Sequence, residues 1–461
     1  MKKWALTLVS AIVLTGCAVG PDYKTVPTPL SQEYANAAAF QDEAWVQVDS
    51  SQIPPAQPWW QLFEDALLNQ WITELHQANL DLVQAEARYR QAQASLQQAQ
   101  AGFFPTLGTQ ASGQRSGSGQ ASPSNQYSLS ANASWELDLW GRVRRSVESG
   151  RAQEEASAAD LDAVRLSLEA TLAQSYFQAK NVRAAQGLYQ RTLEAYERGL
   201  QITQNRYEAG LVSVADVAAA QTQLENARTQ LIALERQWLL LRNAMAVLLG
   251  KAPADFELVA DAQWGLLPQV PVGVPAQLLI NRPDVVAAER RVVAANAQIG
   301  VATAAWFPNL TLSAQGGYRS GSWSDWLSAP ARFWSLGPAL ALTLFDGGAR
   351  SARIQEAEAA YDAQAATYKK VVLDALREVE DALVQWHGIQ RELQSQERAV
   401  AAAQQSLNLT RNQYDAGLVD YLSVVQVESS TLAAERALIS LQSELYISSV
   451  QLITALGGRW G

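Results

Sequence analysis

One cysteine, Cys17, and two histidines, His76 and His387, are all that 461 residues offer in soft or imidazole ligands. So few thiols exclude a disulfide framework, and so few imidazoles exclude a multi-histidine metal cage. The two histidines lie far apart on predicted helices and are read as packed or solvated, not as ligands. Basic residues are also scarce: 35 Lys and Arg stand against 45 Asp and Glu, a formal net charge of −10. Removing Lys2 and Lys3 with a leader takes that to −12, the wrong sign for a nucleic-acid partner, whose phosphates require a basic surface. Beyond Cys17 no window reaches ~18 consecutive apolar residues, so any membrane crossing must be made by strands. A convergent acid, base or nucleophile is missing too, and Gly117-Ser118-Gly119 lacks the Lys-Ser/Thr ending of a phosphate loop. Neither enzymatic activity nor a cofactor is expected.

What is present begins with an address. Lys2 and Lys3 precede an apolar stretch over 4–14, and Leu14-Thr15-Gly16-Cys17 follows it. This is a signal-peptide core, too short to span a bilayer, with small residues before the cut. Residues 1–16 are therefore read as the signal peptide. Cys17 takes the position at which a bacterial lipoprotein is lipidated, and Ala18, where Asp would mark inner-membrane retention, points to the outer membrane. Residues 17–58 then form a lipidated arm, extended because its stretch 21–58 holds six prolines. The covalent lipid on Cys17 contributes ~0.8 kcal/mol per buried CH₂ to anchoring.

An internal repeat organises the remainder. Asn205-Arg206-Tyr207-Glu208-Ala209-Gly210-Leu211-Val212 recurs 207 positions later as Asn412-Gln413-Tyr414-Asp415-Ala416-Gly417-Leu418-Val419. Phe103-Phe104-Pro105-Thr106-Leu107 likewise returns as Trp306-Phe307-Pro308-Asn309-Leu310. Repeat 1 covers 59–250, a Pro-bearing linker or belt covers 251–275, and repeat 2 covers 276–461. Each unit reads helix, two strands, long helix, tight turn, long helix. From Leu161 to Leu200 apolar or Ala positions recur at close to the coiled-coil spacing, and no proline interrupts 143–208, so a helix of roughly 100 Å is predicted. At the turn near 209–216, Gly210 suits a left-handed C′ position and Ser213-Val214-Ala215-Asp216 forms a capping box; Gly417, Leu418 and Asp420 repeat the device near 416–423.

Between the helices, 127–139 alternates strictly: Tyr127, Leu129, Ala131, Ala133, Trp135, Leu137 and Leu139 are apolar while every intervening residue is polar. The pattern predicts strands over about 105–115, 127–140, 309–319 and 333–346, each with one apolar and one wet face, with Pro338 marking a bulge or bend. The strands match the 9–11 residues of a tilted membrane strand, and aromatics such as Phe104, Trp135, Trp140, Trp306 and Trp334 crowd their ends. Four strands cannot close a barrel, because an open edge in lipid leaves its backbone groups unpaired. Closure must come from oligomerisation, and three or more copies are needed for a passable lumen.

Gly16-Cys17-Ala18-Val19-Gly20-Pro21-Asp22-Tyr23, Trp59-Trp60-Gln61-Leu62-Phe63, Arg282-Pro283-Asp284-Val285 with Ala288-Glu289-Arg290-Arg291, and Ala295-Asn296-Ala297-Gln298-Ile299-Gly300-Val301 resemble the outer-membrane efflux lipoproteins of the TolC superfamily, NodT/OprM branch. The resemblance implies a mainly α fold with a membrane β-barrel part: a homotrimer whose chains contribute four strands each to a 12-stranded barrel above a helical periplasmic tunnel. It also implies a passive exit channel for small toxic compounds, docked to a periplasmic adaptor and an inner-membrane pump, commonly of the resistance-nodulation-division class. The repeated turns become the periplasmic tip. Gly210, Leu211, Val212, Ser213, Gly417, Leu418 and Val419 are then adaptor-docking residues, and Asp216, Tyr414, Leu422 and Gln426 form the gate. Tyr414 matches a gate tyrosine, Asp216 an acid that it can bond, and Leu422 an apolar constriction. Ser423 and Gln426 stand where members often carry Asp, and Val419 where TolC has an arginine. Two alternatives remain: the exit duct of a type I protein secretion system, and a lipid-anchored periplasmic coiled-coil scaffold or adaptor, which has no use for four long alternating strands.

Overall fold

The computed structural model describes residues 18–28, 58–119, 122–268, 279 and 282–458. Cys17, the signal peptide and most of the arm lie outside the described residues. In chain order the elements are a 3-10 turn Trp59–Phe63, α1 Ala66–Ala78, α2 Leu80–Ala101, β1 Thr106–Ser116, β2 Ser124–Leu137, α3 Arg142–Glu208, α4 Val214–Leu248, α5 Pro283–Ala304, β3 Asn309–Ser320, β4 Arg332–Ala341, α6 Ala349–Asp415 and α7 Tyr421–Ala455. The duplication is metrical: α3 and α6 are 67 residues each, α4 and α7 are 35 each. No helix among the described residues is long and apolar enough to cross a membrane. The chain divides into two compact units, each built from separate stretches of sequence.

The first unit takes Met1–Thr28, Glu86–Asp160 and Asp284–Val371 and contains the whole sheet. Its order is β1-β2-β3-β4, antiparallel throughout, so each repeat supplies one hairpin and the hairpins join through β2 and β3. The register sorts the side chains. Leu107, Thr109 and Ala111 of β1 share a face with Leu129, Ala131, Ala133, Trp135 and Leu137 of β2, with Leu310, Leu312 and Ala314 of β3, and with Trp334, Leu336, Pro338 and Leu340 of β4. The other face is hydroxyl and amide, and Ser112 and Ser128 hydrogen bond across it at 2.8 Å. Two strand ends fall short of expectation. β2 stops at Leu137 because the Asp138 carboxylate leaves the ladder to accept from the Val143 and Arg144 amides at 2.9 Å, opening α3. β4 stops at Ala341, opposite Asn309 where β3 begins; beyond it no partner remains, and Asp346 caps α6 through the Arg350 amide. Nor does Pro338 make a bulge: the register runs unbroken through Leu312↔Pro338, so the missing N–H leaves the β3–β4 ladder in place.

Residues 18–28 are pinned to this unit by a buried arginine. Arg145 donates to the Val19 and Gly20 carbonyls, to Asp22 at 2.7 Å and to Glu148 at 2.8 Å. The Asn296 amide donates to the Pro21 carbonyl at 3.0 Å, and the Tyr23 hydroxyl to Glu289 at 3.3 Å. Burial first, and the Glu289 charge second, push the Tyr23 phenol up to about 12. Gly20 has φ +95°, and a Cβ on it would lie 2.4 Å from Gly300 Cα, so the close passage of the arm over α5 requires glycine at 20, while a Cβ on Gly300 would press on the Arg145 side chain that holds the arm.

The second unit takes Pro29–Ala85, Leu161–Pro283 and Val372–Gly461. Its core gathers Trp59, Phe63, Leu68, Trp71 and Ile72 with Tyr176 and Phe177 of α3, Met245 of α4, Leu383 of α6, and Val450 and Ile453 of α7. Polar anchors thread that core. Glu169 is buried and accepts from Trp59 Nε1 at 2.9 Å and bonds His76 Nε2 at 2.7 Å, which gives His76 a structural role. Lys180 is 3% exposed and donates to Asp65 at 2.9 Å and the Gln263 carbonyl at 2.8 Å, while the Tyr176 hydroxyl donates to Asp65 at 2.7 Å. Burial opposes ionisation of Asp65, but the hydrogen bonds from Tyr176 and Lys180 outweigh it and hold its carboxyl below the usual range. Arg282 ties the end of α7 through the Ala455 carbonyl at 2.7 Å and pairs with Glu378 at 2.8 Å.

Candidate gate at the helical turns

The long helices of the second unit end in two turns that share one backbone closure. At the first, Gly210 has φ +71°, and the amides of Leu211 and Gly210 donate back to the Arg206 and Tyr207 carbonyls at 2.9 Å. At the second, Gly417 has φ +73°, and Leu418 and Gly417 donate to Gln413 and Tyr414. This is the Schellman closure, in which the glycine adopts the left-handed conformation that a Cβ would oppose. Each turn ends in a cap. Ser213 accepts from the Asp216 amide while the Asp216 carboxylate accepts from the Ser213 amide at 2.9 Å and its hydroxyl at 2.8 Å. Asp420 accepts from the Ser423 amide at 2.9 Å and from its hydroxyl.

These caps decide one expected contact. With the Asp216 carboxylate engaged by Ser213, the Tyr414 hydroxyl does not bond it. That hydroxyl is buried without a partner among the described residues. Tyr414 is instead held by its ring: the Arg206 guanidinium lies 4.9 Å from the ring centroid, and the Tyr421 ring lies 5.6 Å away. Arg206 also faces Asp415 at 3.6 Å. Tyr421, the first residue of α7, leans on α3 beside the buried Thr203, and its phenol is raised by burial and then by the Glu428 charge. The first hairpin therefore grips the second through Arg206 and Thr203 on one side and Tyr414, Asp415 and Tyr421 on the other. Further from the turns, Arg411 donates to the largely buried Glu428 at 2.8 Å, and Gln223 of α4 donates to Ser429 of α7 at 2.7 Å.

Arg206 and Tyr421 were missed by sequence reasoning, although a signal existed. Arg206 occupies the repeat position held by Gln413 in the second copy, so it is one of the few places where the duplicated motif changes charge. The tyrosines of that motif differ likewise: Tyr207 is exposed, whereas the Tyr414 hydroxyl is buried. Leu422 and Gln426 share one face of α7, four residues apart, and both are exposed in the single chain. Leu211 at 74% and Leu418 at 75% exposure, with Val214 at 64%, leave the turns capped by apolar side chains that nothing among the described residues covers. Gly210, Ser213 and Gly417 are exposed beside them, and Val212 and Val419 half-buried.

The comparisons with known proteins agree with this architecture. The family model described as outer membrane efflux protein matches twice, over residues 71–251 and 274–458, one match for each repeat. The solvent efflux pump outer membrane protein SrpC of Pseudomonas putida is 31% identical over 472 residues, covering 100% of this chain and 99% of its own. The cation efflux system protein CusC of Escherichia coli is 29% identical, covering 98% of this chain and 97% of its own. The solved outer-membrane channel OprN superposes with a TM-score of 0.86 at 33% identity, covering 96% of this chain and 100% of that one. A mostly helical chain with one four-stranded sheet, long paired helices and a duplicated plan is thus the shared design, and the chain belongs to the outer membrane efflux protein family.

Proposed function

We propose that this protein is the outer-membrane exit channel of a tripartite efflux pump, a passive conduit for small toxic compounds. Three copies complete a 12-stranded barrel, their long helices continue it as a periplasmic tunnel, and a lipid on Cys17 anchors each copy. The observation that carries this reading is the sheet: among the described residues β1 and β4 are both unpaired edges, and one face across all four strands is apolar. Open edges in lipid are prohibitive, so the edges must meet those of other copies. The apolar face then meets lipid and the hydroxyl and amide face lines the lumen. Efflux of small solutes is favoured because SrpC and CusC are named for solvent and cation efflux.

A periplasmic adaptor docks on the apolar turns at Leu211, Val212, Leu418 and Val419 and brings an inner-membrane pump, of resistance-nodulation-division class, beneath the tunnel. Leu422 and Gln426 form the constriction, and Tyr414 keeps it shut through the Arg206 contact. Purified protein in mild detergent and planar bilayers tests this: a heat-modifiable trimer with discrete single-channel steps is expected, and a monomer without channel activity contradicts it.

A further inference from the structure

The charge on the sheet is distributed against the trend of the chain. The full sequence is acidic at −10, yet the strands and their connecting turns hold only Arg115, Glu136, Arg319, Asp325 and Arg332. Glu136 lies at the end of β2 next to the long helices and is paired with Arg142. The other four lie at the opposite end, beside the turns 117–123 and 321–331. That end therefore has three arginines and one acid, Asp325, in each copy. Under the channel reading, on which this inference rests, the turn end faces the cell exterior.

Register separates the three arginines. Arg319 is on the hydroxyl and amide face and stacks 4.6 Å from the Phe333 ring centroid. Arg115 and Arg332 are on the apolar face: Arg115 lies opposite Asn125 in the row of Leu107 and Ala111, and Arg332 opposite Tyr318 in the row of Trp334 and Leu336. Both are exposed, and neither forms an ion pair among the described residues. Eight residues separate Leu107 from Arg115 and Leu340 from Arg332. At ~3.4 Å per residue and ~40° tilt this is roughly 20 Å of membrane depth, so both guanidinium groups reach the outer edge of the apolar band. An aromatic group lies at the same height, with Tyr127 edge-on to Trp323 at 5.3 Å and Trp323 stacked on Trp326. The inner edge of that face has leucines and aromatics but no arginine.

Within one chain Arg115 and Arg332 sit on opposite edges, with two strands between them. When β4 of one copy closes on β1 of the next, the two arginines lie on adjacent strands ~4.8 Å apart, at the same end of the apolar face. We propose that each of the three seams binds a phosphorylated glycolipid of the outer leaflet, with Arg332 of one copy and Arg115 of the next clamping its phosphate. Guanidinium groups suit this task because they stay charged and offer paired donors to phosphate oxygens. A charge facing lipid is tolerated at the interface but not at mid-depth, which fits their position at the rim and not lower. The anionic group is on the lipid side, not in the lumen, because both arginines belong to the apolar face.

Native mass spectrometry of the detergent-solubilised full chain tests the inference, with diphosphoryl lipid A, its dephosphorylated form and phosphatidylglycerol as probes. The expected result is up to three lipid A adducts per trimer, weakened on the order of tenfold in the double variant Arg115→Gln, Arg332→Gln. Arg319→Gln, at the same height on the other face, should bind as the parent does, and Lys at both seam positions should restore most of the binding. Equal binding by the double variant, equal loss in Arg319→Gln, or equal adducts with the dephosphorylated lipid or phosphatidylglycerol would overturn it. The same spectrum reports the oligomer: a trimer without adducts sinks this site alone, whereas a monomer sinks the channel reading itself.

Discussion

Replacing Arg206 with Gln tests how the turns are held together. Its guanidinium lies 4.9 Å from the Tyr414 ring centroid and 3.6 Å from Asp415. A partly exposed cation–ring contact contributes about 0.5–1 kcal/mol. The Asp415 pair, with side chains 34% and 70% exposed, adds only a few tenths. Each copy therefore loses ~1 kcal/mol, and a gate that moves as a unit of three loses ~3 kcal/mol, about two orders of magnitude in its closed-to-open ratio. Tyr414→Phe is the matched control, because the hydroxyl it removes is buried without a partner among the described residues; deleting such a group is neutral or slightly favours closure. Single-channel recording in planar bilayers should show Arg206→Gln open more often or to a larger step, with Tyr414→Phe close to the parent. If Tyr414→Phe opens the channel as much as Arg206→Gln, the hydroxyl is the latch and the ring contact is not.

Further outcomes follow from contacts elsewhere in the chain. Gly300→Ala places a methyl 2.8 Å from Arg145 Cγ, and at about 1–3 kcal/mol of overpacking it should loosen the arm, seen as faster trypsin cleavage at Lys24 and a lower Tm; an unchanged cleavage rate would show that the arm is held elsewhere. The Asp65 carboxyl is depressed in the folded chain, so its contribution to stability is present above the ordinary value of 3.8 and is lost as pH falls through the lower folded value. Lys180→Met should therefore raise the pH of acid unfolding and cost about 3 kcal/mol at neutral pH, and an unaltered acid midpoint would count against the pair. Leu422→Ser should raise conductance, and the parent should resist block by divalent cations because Ser423 and Gln426 supply no carboxylate ring; strong block at low cation concentration would place the constriction elsewhere.

Sequence patterns reported the faces of elements well and their long-range partners poorly. Alternation along 127–139 gave the correct apolar face of β2, and the repeat placed both turns, because each is a local property of backbone and solvent. Where strands stop was harder to see, since β2 and β4 end where Asp138 and Asp346 turn to helix capping and where the neighbouring strand runs out. The gate shows the same division. Asp216 was recognised as a cap, but that very role removes it from Tyr414, and Arg206 takes its place from a helix more than two hundred residues away in sequence. Motifs such as Gly20-Pro21-Asp22-Tyr23 and Arg282-Pro283 gained meaning only when Arg145, Asn296 and the end of α7 were seen against them.

Whether one barrel is shared by three chains can be read with cysteine pairs, one on β1 around Ala111 and one on β4 between Trp334 and Pro338. Within a chain β2 and β3 lie between these edges, a gap of ~14 Å that no disulfide spans. A register scan of such pairs, with each single cysteine as control, should give covalently closed trimers on denaturing gels for at least one pair and none for the singles. Monomers across the whole scan, in protein that is folded and membrane-inserted, would contradict closure of β4 on β1 of a neighbouring copy.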